Sequence, residues 1–323
     1  MNNEIERLHH VGHIVRSIDD GVALYRRLGF LPTPPNFYVL ESAGSANEAI
    51  GPVNAYSAMK RNFLEIVSVA TPQSSISAGD PQVITVPPEQ RDAFAKRLAQ
   101  AGDMISSWFS QFQGMRILAL HSKDAEVSAA RLTAAGVGNS GASTVNRKLD
   151  TNQGPRQVPT RFLEIGTPGG LPGAEVPEGR VAIAEDPDAE ILNQQKNLAH
   201  PNGATDLVES FLYVDAAGLD GLTRRYEAYL GRTPQRTDSA CRFDLGQGRV
   251  TLINDNGLKD IFPGQRAPAC PAFIGYAVAV SDLAATRAYL QGNGFPLVDT
   301  PSRDILVPSS AALGAAILFR SAT

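Results

Sequence analysis

The run Phe-Leu-Glu-Ile occurs twice, at 63–66 and at 162–165, and each copy closes a segment that opens with an alternating strand and an amphipathic helix. Internal repetition restricts a chain to stacked or paired copies of one supersecondary unit, so the repeat bounds the fold before any single residue does. The first unit starts at 8–30, LHHVGHIVRSIDDGVALYRRLGF: a strand at 8–15 with three histidines, a turn from Ser17 to Asp20, and a helix at 19–28 closed by Gly29. Strand-like pieces follow at 37–41, 53–59 and 62–69, giving the order βαβββ.

A second unit opens at 115 with MRILALHS and DAEVSAARLTAAGV, passes through a strand near 142–149 and closes around GPRQVPTRFLEIG. Units three and four open at 206 and 272. Between the first two lies an insertion, 70–112, with a helix predicted at 88–101, where Pro88 and Glu89 suit a first turn, and then an aromatic stretch from Trp108 to Phe112. Glycine and proline gather at 166–173, so the chain divides into an N-terminal domain at 1–175, a linker at 176–205 and a C-terminal domain at 206–323. The fold class expected is α+β, with four βαβββ modules paired into two barrels, one with two and three with four. Setting two such units side by side closes their concave faces over a shared cavity.

Several function classes are excluded by bulk properties. A formal charge of -4 without a basic run argues against nucleic acid. No apolar run reaches the length of a membrane span, and the polar start MNNEIERLHH does not read as a signal peptide. Cys241 and Cys270 are too few for a disulfide framework or a cysteine-rich metal site. A cytoplasmic chain is expected, with a small-molecule substrate and, as protein partner, a second copy of itself in a homodimer. Neither G-x-S-x-G nor a P-loop is present.

The repeated βαβββ plan, the H-V-x-x-x-V-x-S-I-D start at 10–19 and the F-L-E-I ends resemble the vicinal oxygen chelate superfamily, which includes glyoxalase I, methylmalonyl-CoA epimerase, extradiol dioxygenases and the fosfomycin and bleomycin resistance proteins. More narrowly, the length, the HPNGA joint at 200–204 and the ending LGAAILFR at 313–320 are similar to bacterial glyoxalase-like domain proteins. The resemblance covers essentially the whole chain. It implies a metal ligand early on each unit's first strand and another in the middle of its last. Carried over, His10 and Glu65 are the ligands from unit one, while unit two offers Glu164 and, at the remaining corner, Ile117, which cannot coordinate.

One imidazole and two carboxylates suit a single divalent ion such as zinc, manganese, iron(II), nickel or cobalt. With open positions such an ion polarises a substrate bearing adjacent oxygens, and Glu65 or Glu164 could move a proton beside it. Strand parity puts His10, Gly12 and Ile14 on one face, with glycine leaving room for substrate, and His9 and His13 on the other, packing toward the helix or an interface. His121 shares the parity of Ile117 but lies about 13 Å farther along at strand rise, so it replaces that ligand only if the strand is shifted or bulged and otherwise reads as a structural residue or one supporting the ligands from behind. Tyr56, Lys60 and Arg161 lie on flanking strands and could touch substrate, and His200 reads as a turn residue. The second pair of units presents Glu209, Leu252, Gly275 and Phe319 at the matching corners and is read as free of metal.

The leading expectation is a metal-dependent lyase or isomerase acting on a small oxo- or hydroxy-carbonyl compound. Alternatives are an iron(II) ring-cleaving or oxo-acid dioxygenase with an unusual ligand set, and a metal-free small-molecule binding or resistance protein.

Overall fold

The computed structural model describes residues 4–40, 49–70, 80–84, 88–166 and 176–322. The first half runs β1 (Ile5–Ile14), α1 (Ile18–Arg27), β2 (Asn36–Leu40), β3 (Ala49–Ala58), β4 (Phe63–Val69), β5 (Asp80–Ile84), α2 (Pro88–Gln111), β6 (Gly114–Ser122), α3 (Ala125–Ala134), β7 (Ser143–Thr151), β8 (Gly154–Glu164) and β9 (Arg180–Glu185). A short α4 (Ala189–Leu192) leads into β10 (Ala204–Tyr213), α5 (Leu219–Leu230), β11 (Gln235–Arg236), β12 (Ala240–Asp244), β13 (Arg249–Ile253), α6 (Asp255–Ile261), β14 (Ala272–Val280), α7 (Leu283–Gly292), β15 (Val298–Asp299), β16 (Ile305–Val307) and β17 (Ala316–Ser321).

Three of the four strand-to-helix turns are set by a capping side chain, while α5 starts at Gly218 without one. Ser17 accepts from the Asp20 amide at 3.2 Å, Asp124 from Glu126 and Val127, and Asp282 from Ala284 and Ala285, so an oxygen side chain satisfies the free N–H groups where α1, α3 and α7 begin.

The strands form two curled sheets, ordered β5-β2-β3-β4-β1-β6-β9-β8-β7 and β11-β12-β13-β10-β14-β17-β16-β15. Modules one and two therefore share one sheet and modules three and four the other. Within each sheet the two modules are joined at the centre by an antiparallel pair, β1 with β6 in one and β10 with β14 in the other. Where the halves meet, the Nδ1 of His13 lies 3.2 Å from the Tyr25 hydroxyl, which lies 2.9 Å from that of Tyr276, and His13 Nε2 reaches the Leu313 carbonyl oxygen at 3.0 Å.

The last strand of module two is β9, not the Phe-Leu-Glu-Ile segment, which ends on β8. The first sheet thus takes in a strand from the range read as a linker, while residues 167–175 lie outside the described part. The insertion supplies β5, parallel to β2, and α2, which runs on through the aromatic stretch to Gln111. Ile105 and Trp108 of α2 pack on Ile14, Val67 and Ile117, filling one part of the concave face of the first sheet. In the second half α6 follows module three as α2 follows module one, and Leu258 and Phe262 join a cluster with Phe211, Ile253, Ile274 and Leu318. Among the described residues, no helix is long and apolar enough to cross a membrane.

Candidate functional site

The first strand carries the site because it is not regular. Along β1, Leu8 pairs with Leu120 but His10 with Ala119, so His9 is the extra residue of a β-bulge. A bulge breaks the alternation of faces and brings two successive side chains to the same side. Parity therefore fails for His9: its Nδ1 lies 2.7 Å from the Nδ1 of His10, while its Nε2 lies 3.0 Å from Asp186, just after β9. The matching shift on β10 falls at Val208, between Leu207 and Glu209.

His10 stacks on Phe63, centroids 4.5 Å apart and planes 13° apart, and Arg147 covers Phe63 at 4.4 Å. The Nε2 of His10 faces Glu65 Oε2 at 3.6 Å, with both side chains about one-seventh exposed, at 15% and 13%. Asn54 on β3 donates to the other Glu65 oxygen at 2.9 Å. Burial holds the His10 imidazole well below its usual pKa, and neighbouring His9, Arg180 and Arg147 add to this. Burial also pushes the Glu65 carboxyl up, against the opposing pull of Arg180, Asn54 and Arg147. The two shifts bring the proton affinities of an imidazole and a carboxyl toward each other across one short gap.

Glu164 arrives from β8 and is held by Arg180, whose Nε donates to both of its oxygens at 2.8 and 2.9 Å while Nη2 makes a third contact. Despite burial, Glu164 first and Glu65 after it hold the Arg180 guanidinium above the usual arginine range. In register, Ile117 pairs with Arg180 and Ala119 with Ala182, just as His10 pairs with Phe63 and Gly12 with Glu65. The place of Glu65 is thus taken in module two by Ala182. Gly12 makes room for Ile117, whose side chain lies 2.6 Å from where a Cβ would stand, and not for a substrate.

These contacts test the expected metal site. His10 Nε2 and Glu65 Oε2 fit two corners of a divalent ion's shell. Glu164, its oxygens engaged by a guanidinium, does not supply the third, and among the described residues no group of three or more His, Cys, Asp or Glu side chains is placed to hold an ion.

A family model described as "Glyoxalase-like domain" matches residues 8–230. The chain belongs to this glyoxalase-like family. Its fold is similar to that of a hypothetical protein from Staphylococcus aureus, at 11% identity and TM-score 0.58, with 98% of this chain and 100% of that one covered. A variant of 4-hydroxymandelate synthase from Streptomyces coelicolor matches at 14% identity and TM-score 0.52, covering 93% and 78%. An Mn(II)-bound glyoxalase from Novosphingobium aromaticivorans matches at 12% identity and TM-score 0.51, covering 99% and 83%. Among proteins of curated function none matches. The superfamily read from the βαβββ repeats is thereby shown. At such low identities the solved structures speak for the fold alone.

The other side chains singled out in this glyoxalase-like chain divide cleanly. Tyr56, opposite Glu65 across the β3–β4 pair, donates from its hydroxyl to the Lys148 carbonyl at 2.6 Å and so joins the two modules beside the site. His121 lies 3.4 Å from Glu6, and burial pushes its pKa down to about 4; it does not reach His10 or Glu65. Arg161 pairs with Glu126 and Glu185 away from the site, at 2.6 and 3.3 Å. His200 accepts from the Leu31 amide and reaches the Ala58 carbonyl, the backbone role expected of a turn residue.

In the second half the corner residues are Thr251 and Leu318, one position before the Leu252 and Phe319 expected, because Phe211 pairs with Thr251 and Ala277 with Leu318. Glu209 there receives Thr251 at 2.5 Å, Arg249 at 3.0 Å and Arg320 at 2.7 Å.

Arg180, Asp186, Arg147 and Asn54 escaped sequence reasoning. Arg180 begins and Asp186 follows RVAIAE, which lies in the range read as a linker and so was not placed as the strand beside β6.

Proposed function

We propose that the first half of the chain is the active site of a lyase or isomerase that moves a proton on a small oxo- or hydroxy-carbonyl substrate. The observation that carries this reading is the approach of neutral His10 Nε2 to the Glu65 carboxyl at 3.6 Å, beside Arg180. Glu65 removes a proton from the carbon next to the carbonyl, and the C–H electron pair moves into the carbonyl to give an enolate. Its oxygen develops negative charge against Arg180, in a water-poor site where such a charge is well stabilised. The proton then returns to a neighbouring atom in an isomerisation, or a group leaves from the adjacent carbon in a lyase reaction. His10, whose Nε2 faces Glu65, relays the proton to and from that carboxyl.

The test is deuterium wash-in from heavy water into a panel of 2-oxo and 2-hydroxy-carbonyl acids, followed by NMR. Exchange that disappears in Glu65→Gln supports the reading; no exchange in any compound at micromolar enzyme counts against it.

A second reading is favoured by the same pair. His10 and Glu65 would hold a divalent ion, which would supply Lewis acidity to a substrate with adjacent oxygens. Elemental analysis distinguishes the two: about one equivalent of metal that His10→Ala removes, with exchange lost in chelator, selects the metal-dependent reading. The dioxygenase expected as an alternative would consume oxygen when loaded with iron(II) under a catechol or 2-oxo acid panel.

A further inference from the structure

Among the described residues, Arg7 and Arg116 are the two arginines that are almost wholly buried, at 5% and 3% exposure. Arg7 meets Asp186 at 2.7 Å, whereas no carboxylate of the described residues lies within ion-pair distance of Arg116. Its Nη2 donates to Gln111 Oε1 at 3.2 Å, and its Nε is sealed from solvent without an acceptor. The guanidinium carbon lies 4.4 Å from the centre of the Phe112 ring and 5.6 Å from that of Trp108. We propose that Arg116 binds the carboxylate of an organic acid at the end of the first-sheet cavity that α2 covers, and so selects an anionic substrate for the proposed reaction.

A second bulge turns the side chain to that place. Gly12 pairs with Ile117 and His13 with Met115, so Arg116 is an extra residue in the β1–β6 pair. Met115 packs in the main core and Ile117 with Trp108 on the concave face; Arg116, lying against Trp108, is turned to the concave side as well. The reacting pair is near. Glu65 pairs with Gly12 and Gly12 with Ile117, which puts Arg116 two strands from Glu65 and one position beyond its row. Val67, Ile117 and Trp108 give this part of the face an apolar lining, which suits the carbon skeleton of an acid held by its charged end.

Burying a charge without a counter-charge is costly, and the edge of a guanidinium matches a carboxylate better than it matches a neutral acceptor. Aromatic rings attract the flat faces of the group and leave that edge unmatched. The second half of the molecule shows that the fold itself needs no cation here. Phe211 pairs with Gly275 and Leu212 with Phe273, so the matching bulge residue of the β10–β14 pair is Ile274. Ile274 packs in one cluster with Phe262 of α6, as Arg116 lies against Trp108 of α2, and that half is closed by an apolar side chain. Arg116 adds a charge that packing does not require, and a bound carboxylate supplies the partner it lacks.

The inference rests on the proposed reaction only in calling the acid a substrate, so its test needs no turnover. Trp108 is the single tryptophan of the chain, and its fluorescence reports this place alone. The full-length chain is titrated at constant ionic strength with pyruvate, 2-oxohexanoate and 4-oxopentanoate, and with the methyl ester of each. At least one acid is expected to change Trp108 emission saturably. Its ester, and the acid on Arg116→Met, are expected to bind about tenfold more weakly or worse, the loss of one charge-assisted bond. Arg116→Lys, which keeps the charge, is expected to recover part of the affinity. Arg116→Met copies the apolar closure of the second half and is expected to melt no lower than the wild type, which separates lost binding from lost fold. No saturable response to any acid, equal binding of acid and ester, or a folded Arg116→Met chain that binds as the wild type does overturns the proposal, as does inorganic phosphate binding more tightly than every acid. Should Arg116→Met not fold, the comparison of acid with ester in the wild type decides alone. Deuterium wash-in is a separate readout: its absence would remove the enzyme reading and leave the carboxylate site standing, while exchange in a chain that ignores carboxylates would remove the site alone.

Discussion

Arg180 grips Glu164 through both carboxylate oxygens, at 2.8 and 2.9 Å from Nε, in the very cavity where a third metal ligand was expected. A guanidinium matches a carboxylate in this forked geometry better than any other side chain, so the pair is a persistent contact and not a passing one. Glu164 is therefore a neutralised carboxylate, and the cavity's second half presents positive charge to whatever faces His10 and Glu65.

Removing that grip should change metal binding. In Arg180→Ala, Glu164 becomes free to turn toward Glu65 and His10, and calorimetric titration with manganese(II) is expected to show affinity raised by about tenfold or more. The same change leaves a buried carboxylate unpaired, so thermal stability is expected to fall, by up to about 3 kcal/mol for a pair whose arginine side chain is 29% exposed. Unchanged manganese affinity in a folded variant would show that Glu164 is not a latent donor.

Gly12 and Ile117 are predicted to be coupled. A Cβ at position 12 would stand 2.6 Å from that of Ile117, so Gly12→Ala is expected to lower stability by about 1–3 kcal/mol, the range for overpacking a filled site. Ile117→Ala in the same chain should recover much of the loss. A double-mutant cycle by urea denaturation measures the coupling, and strict additivity would contradict the close approach.

Acid should destabilise the fold through its buried histidines. Burial lowers the pKa of His13 from 6.5 to about 4, and the bond to the Leu313 carbonyl opposes this only in part. The folded chain then binds fewer protons than the unfolded chain between pH 6.5 and 4, so the stability contributed by neutral His13 is full above the unfolded pKa and is lost as pH falls through that window. The loss approaches about 3 kcal/mol. Urea midpoints measured across that window should fall with acid in the wild type and fall less in His13→Gln.

Glu209 should matter for stability alone. Glu209→Gln disturbs a buried carboxylate with three donors, Thr251, Arg249 and Arg320, and is expected to lower stability by about 2–4 kcal/mol. Deuterium wash-in and metal content should stay at wild-type values, because this cluster sits in the other sheet from His10 and Glu65. A change in either readout with the fold intact would assign the second half a part in the reaction.

The Phe-Leu-Glu-Ile runs, the strand-to-helix turn at Ser17 to Asp20 and the alternating first strands were legible because each is a local pattern, read within about a dozen positions. They determine four like modules, an α+β fold and the superfamily, and they place His10 and Glu65 on neighbouring strands. What the similarity of the two Phe-Leu-Glu-Ile runs could not reveal is that they occupy different strands of their modules, β4 in one and β8 in the other.

Strand order and bulges are settled by pairing between distant segments, and a one-residue shift turns a side chain to the other face. Only the tertiary structure decided that β9 joins β6 and brings Arg180 and Asp186 to the site, that a bulge turns His9 toward His10, and that Ile117 fills the space Gly12 leaves. The sequence by itself determined the architecture and one half of the site. The other half, a cation holding the third acid and a carboxylate reaching His10 through a second histidine, depends on where β9 pairs and on a His9–Asp186 contact spanning 177 residues, which no local pattern records.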